Sequence, residues 1–97
     1  MDSLFNVINP SFVNYEWKLS TKTSDLLCYQ KENPYDVISI SIPNTNTIDV
    51  TVPIGKNTYD NLLYKKTFNN INLNTVFDYV KMHLDYYAFT HNNGETL

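Results

Sequence analysis

Three residues, Cys28, His83 and His91, hold all the thiol and imidazole chemistry in this 97-residue chain. The two histidines stand eight positions apart, more than two helical turns, which is too far for one ion to bind both. No Cys-x-x-Cys, His-x-x-x-His or Asp/Asn-rich calcium loop accompanies them. No metal and no cofactor are therefore expected, and His83, at the border of an apolar helical face, reads as a structural histidine. Cys28 sits between Leu27 and Tyr29 in a strand-like run. Without a cationic neighbour or a helix N-terminus to lower its pKa, it is expected in the core as a small hydrophobe. Asp78 and Asp85 with Lys81 between them could form an acid–base pair. No apolar surroundings exist to tune either carboxylate, so their helical spacing reads as an exposed charged ridge. Gly55-Lys56 lacks both the earlier glycine and the following hydroxyl of a phosphate loop. No catalytic residue is expected, and the chain does not read as an enzyme.

Two other patterns carry more weight. Tyr79, Met82, Tyr86 and Phe89 recur at helical spacing, forming a second apolar stripe away from Leu73, Val80 and Leu84. Tyr, Phe and Met are enriched at protein interfaces, so this stripe is the expected interface of a non-enzymatic interaction or assembly module, most simply a homodimer. The competing expectation is that Leu4, Phe5, Val7 and Ile8 fold over it. Tyr64, Lys65, Lys66 and Phe68 form the other pattern, a small stacking-plus-charge group suited to single-stranded nucleic acid or a small ligand. Aromatic residues on strands more often pack across to their neighbours, so this is the alternative.

The elements that must position these groups are legible from hydrophobic period. Residues 3–9 could form one helical turn or an edge segment, which Pro10 should end. Val13, Tyr15, Trp17 and Leu19 then alternate with Asn14, Glu16 and Lys18, predicting a half-buried strand. Residues 20–24 are turn-like, and residues 25–31 read as the returning strand. Glu32-Asn33-Pro34-Tyr35 turns the chain again. Ile38, Ile40 and Ile42 alternate with serines, and Ile48, Val50, Val52 and Ile54 alternate with Asp49, Thr51 and Pro53, with Pro43-Asn44-Thr45-Asn46 between. That is a hairpin, its polar outer face suited to water. Residues 59–68 could be helix or strand, and Tyr64, Thr67 and Phe68 favour strand. Asn72 or Asn74 should cap a closing helix over 73–91, with Ile71 and Val76 as the staple pair favouring Asn72. Asn92, Asn93 or Gly94 should stop it, leaving 92–97 frayed.

The expected fold is a single α+β domain over 1–97. It comprises an N-terminal segment (1–10), a four- or five-stranded antiparallel β-meander (12–68) and one C-terminal amphipathic helix packed on one face, two layers in all. Its core is expected from Trp17, Leu19, Ile38, Ile40, Ile42, Ile48, Val50, Val52, Phe77, Val80 and Leu84.

Composition narrows the partners. All seven basic residues are lysine and the net charge is −3. Lysine lacks the bidentate fork with which arginine reads phosphate and base edges, so duplex nucleic acid is not an expected partner. A lone cysteine excludes an intramolecular disulfide framework. The N-terminus has no basic, long-apolar leader pattern, and no apolar run nears the roughly 18–20 residues a membrane span needs. A reducing, cytoplasmic setting is expected, and a membrane is not. Fourteen asparagines, eight tyrosines and seven lysines stand beside a single alanine, a bias that follows from AT-rich codons. Over its whole length this composition is similar to that of the small uncharacterised proteins of amoeba-infecting giant viruses. The resemblance includes no motif and implies no activity or residue role, only host cytoplasm or virion as a setting.

Overall fold

The computed structural model describes residues 2–31, 36–54, 63–69 and 72–96, with side chains of the last segment up to Phe89. In chain order the elements are α1 (Asp2–Asn14), β1 (Lys18–Lys22), β2 (Leu26–Gln30), β3 (Val37–Asn44), β4 (Thr47–Pro53), β5 (Leu63–Asn69) and α2 (Leu73–Thr96). The strands form one antiparallel sheet in the order β1-β2-β3-β4-β5. The fold is α+β with the expected meander. Residues 32–35 and 55–62, with Ile71 and the side chain of His91, lie outside the described residues, so the Asn33-Pro34 turn, the Gly55-Lys56 loop and the staple are not described.

The hairpin reading holds in register. Ile40 pairs with Val50 and Ser41 with Asp49. Asn44 Oδ1 accepts from the Asn46 amide at 2.9 Å, holding the two-residue turn. Leu27, Tyr29, Ile38, Ile40, Ile48, Val50 and Val52 are all buried on one face. Gln30, Cys28, Ser39, Ser41, Asp49 and Thr51 alternate with them on the other. Cys28 is thus corrected: Leu27 and Tyr29 take the core positions, and the thiol lies half-buried on the polar face opposite Ser39. Desolvation there still raises its pKa.

The N-terminus overturns the expected strand. Leu4, Ile8 and Phe12 recur every fourth residue and are all buried, so residues 2–14 form a helix that continues through Pro10. Proline removes the amide that would bond the Asn6 carbonyl and crowds that carbonyl with its ring, but Asn6 is exposed, where water can take the freed acceptor. Burial of the Leu4-Ile8-Phe12 stripe outweighs that loss. Phe12 stacks on Tyr29 with ring centroids 3.7 Å apart, and the Tyr29 hydroxyl donates to Asn9 Oδ1 at 2.7 Å. Val13, expected inside, is 59% exposed.

α1 ends in a Schellman motif. The Trp17 amide reaches back to the Phe12 carbonyl at 2.9 Å and the Glu16 amide to Val13 at 3.0 Å. Glu16 takes the left-handed position, φ 65°, where glycine is the usual occupant. The accompanying apolar contact is Phe12 against Trp17, edge to face at 6.1 Å. Trp17 is therefore core, as expected, but delivered by a helix end rather than by a strand. Leu19 is not: β1 is an edge strand and Leu19 is 41% exposed.

α2 begins as expected at Asn72. Its Oδ1 accepts from the amides of Asn74 (3.0 Å) and Thr75 (3.4 Å). The helix does not stop at Asn92–Gly94 but runs to Thr96, so the expected frayed tail is corrected to helix over residues 92–96, and Leu97 lies outside the described residues. Val76, Val80 and Leu84 are buried, while Phe77 and Ile42 pack partly buried against the same core. The two helices lie on the same face of the sheet. α1 covers the β1–β2 side through Tyr29, and α2 reaches β5 through Tyr79 and Phe68.

Candidate functional site

The second stripe of α2 follows from helical geometry. With Val76, Val80 and Leu84 turned inward, Met82, Tyr86 and Phe89 fall roughly half a turn away. They are 54%, 53% and 68% exposed. α1 does not cover them: Leu4 and Ile8 are in the core, and Phe5 is partly buried with the Lys22 ammonium 5.1 Å over its ring. The polar wedge of Asp78, Lys81 and Asp85 beside the stripe is exposed, as the ridge reading expected.

Tyr79 leaves that group. It turns toward β5 and packs edge-on against Phe68, ring centroids 5.3 Å apart. His83 follows it, 4.5 Å from the Tyr79 ring. Burial lowers the pKa of His83 and raises that of Tyr79, with the nearby Tyr64 adding to the latter. The Tyr79 hydroxyl is buried without a hydrogen-bond partner.

The second sequence pattern is split by the sheet. Tyr64, Lys66 and Phe68 pair with Val52, Val50 and Ile48 and share the inner face. Lys65 pairs with Thr51 on the other face. The Lys66 ammonium stands 5.6 Å over the Phe68 ring and 6.0 Å over that of Tyr79. Tyr79 of the first pattern and Phe68 of the second therefore meet along β5, with the Lys66 ammonium over both rings.

A third place was missed from sequence. Where α1 ends, Asn14, Tyr15, Glu16, Trp17, Lys31, Tyr87 and Ala88 line a cavity of about 310 Å³. Tyr87 packs edge-on against Trp17 at 5.1 Å and donates its hydroxyl proton to Asp36 Oδ2. Asp36 is only 3% exposed. The contact joins positions 51 residues apart, so no local spacing could announce it. The one sequence signal was a carboxylate standing just before the alternating isoleucine–serine run of β3.

Among the described residues, no three His, Cys, Asp or Glu side chains gather as a metal site, and no helix is long and apolar enough to cross a membrane. No family model, curated protein or solved structure matches this chain.

Proposed function

We propose that this chain is a non-enzymatic interaction module that self-associates as a homodimer, in the cytoplasm, through the outer face of α2. The observation that carries the reading is the exposure of Met82, Tyr86 and Phe89 together on one helix face. Burying such surface contributes roughly 25 cal/mol per Å². The flanking charges fit a second copy. In an antiparallel pairing that sets Met82 opposite the partner's Tyr86, Lys81 and Asp85 of the two copies fall within about one turn of each other. Tyr79 supports the surface from behind rather than contributing contact area. The single-stranded nucleic-acid alternative has less support, because Lys65 and Lys66 face opposite sides of the sheet and Phe68 is packed by Tyr79.

Light scattering after size exclusion tests this. The wild-type chain should run as a dimer that dissociates on dilution. Met82→Glu and Phe89→Lys should run as monomers with unchanged circular dichroism, and neither change should cost the isolated fold more than about 0.5 kcal/mol. A wild-type monomer at every concentration, with Met82→Glu unfolding it, would sink the proposal.

A further inference from the structure

His83 stands where the inner and outer faces of α2 meet. Helical geometry puts it one turn after Tyr79 and one turn before Tyr86, about 90° round from the centre of the exposed stripe of Met82, Tyr86 and Phe89. Its ring packs edge-on against Tyr79 at 4.5 Å, and the Lys66 ammonium stands 6.0 Å from the same Tyr79 ring. The charged and titratable groups around it are therefore the phenols of Tyr79 and Tyr86 on its own helix and, from β5, Lys66 together with Tyr64, which lies near enough to Tyr79 to act on it. Tyr87, the next phenol along the helix, turns away to Trp17 and Asp36. The carboxylates of Asp78 and Asp85 fall on the opposite flank of the stripe, with Lys81. Among the described residues, the fixed charge on the His83 flank is thus the Lys66 ammonium, and the imidazole is half-buried against Tyr79.

We propose that the pairing of α2 with a second copy is gated by pH: His83 must be neutral for the dimer to close, and acid parts it. The inference rests on the homodimer reading above. In an antiparallel pair the two-fold axis crosses the helices, so each flank meets its own copy. With Met82 opposite the partner's Tyr86, the axis passes at the level of residue 84. The two His83 side chains then share one flank, about 3 Å apart along the helices. The two Lys66 ammonium groups are carried to the same flank. Two imidazolium ions there would add to two positive charges already present, while the second copy takes away their water. Neutral imidazole carries no such cost and adds flat surface to the seam. Burial already holds the pKa of His83 below its ordinary 6.5 in the single chain, and closing the pair acts in the same direction. The neutral form is therefore the one the dimer favours. Pairing is complete above that depressed pKa and weakens as the pH falls through it.

Light scattering over a dilution series, run at about pH 7.5 and about pH 5.5 so as to bracket an imidazole, tests this. The wild-type Kd should rise roughly tenfold at the lower value, a factor of about three from each of the two histidines. His83→Gln, neutral throughout, should pair with the same Kd at both. His83→Lys, charged throughout, should run mainly as a monomer at both while keeping its circular dichroism. Met82→Glu, a monomer on the homodimer reading, should give the same circular dichroism at both, which separates loss of pairing from loss of fold. A wild-type Kd that does not change with pH overturns the proposal and leaves the homodimer standing. So does a pH dependence that survives in His83→Gln, which assigns it to His91, the other histidine of the chain. Unfolding of Met82→Glu at the lower pH overturns it as well, because the acid would then act on the fold. A wild type that is monomeric at every concentration at the higher pH removes the homodimer and this inference together.

Discussion

α1 and α2 lie on the same face of one sheet, yet they use their apolar residues differently. In α1 the stripe Leu4, Ile8, Phe12 accounts for every buried residue, and what remains apolar outside is Val7 and Val13. α2 buries an equivalent stripe, Val76, Val80 and Leu84, and then presents Met82, Tyr86 and Phe89 as a second one. One stripe at four-residue spacing suffices to seat a helix on a sheet. The second stripe of α2 is thus surplus to the fold of a single chain, and surplus aromatic surface is what an interface is made from.

The comparison breaks most visibly at Phe12. Truncation to alanine removes a fully buried ring and its stack on Tyr29, and should cost about 3–5 kcal/mol in a urea melt. Val13→Ala, one residue on but facing solvent, should change stability by no more than about 0.5 kcal/mol. Equal losses at the two positions would mean that residues 2–14 do not pack as a helix on the sheet. Next in size is the end of that helix. Glu16→Gly relieves the left-handed backbone and removes an acid from a helix C-terminus, so it should stabilise by about 1 kcal/mol. Glu16→Ala keeps the backbone penalty and should gain little. The smallest effect lies on α2, at the seam between its two stripes. Burial lowers the pKa of His83 from its ordinary 6.5, so below that pH the unfolded chain takes up a proton that the native one resists. The group's contribution is therefore complete above about pH 6.5 and is lost as the pH falls through the depressed folded value. Melting temperatures of wild type and His83→Gln, compared from about pH 7.5 to about pH 5, should converge toward acid. A wild type that gains on His83→Gln as the pH falls would reverse the assignment.

The sheet was legible because two β-branched runs, 38–42 and 48–54, alternate cleanly around a short polar turn, and such a pattern has one stable register. The Asn72 cap and the buried face of α2 were legible for the same local reason. α1 was not. Val13, Tyr15, Trp17 and Leu19 offer an alternation as good as a real strand's, while Leu4, Ile8 and Phe12 offer a helical one across a proline. Nothing local decides between them. The tertiary term does, because Tyr29 supplies the surface on which Phe12 stacks. Of the candidate interface, Met82, Tyr86 and Phe89 followed from period alone, whereas the inward turn of Tyr79 depended on Phe68 being its neighbour across the layers. The cavity is made by residues from 14 to 88 and had no local signature.

A five-stranded meander leaves two strands with unpaired backbone, β1 and β5, and an open edge invites further strands to add without end. Here both edges are obstructed. β1 carries Lys18 and Lys22 and is broken between Leu19 and Thr21, where Ser20 bonds the Cys28 carbonyl with its own hydroxyl at 3.1 Å. β5 carries Lys65 and Lys66, one charge on each face. Four of the seven lysines thus guard the two places where fibrillar growth could start. With strand addition blocked, copies meeting through a helix face about a two-fold axis would consume that face in the first encounter and close as a pair, with no surface left to propagate a filament.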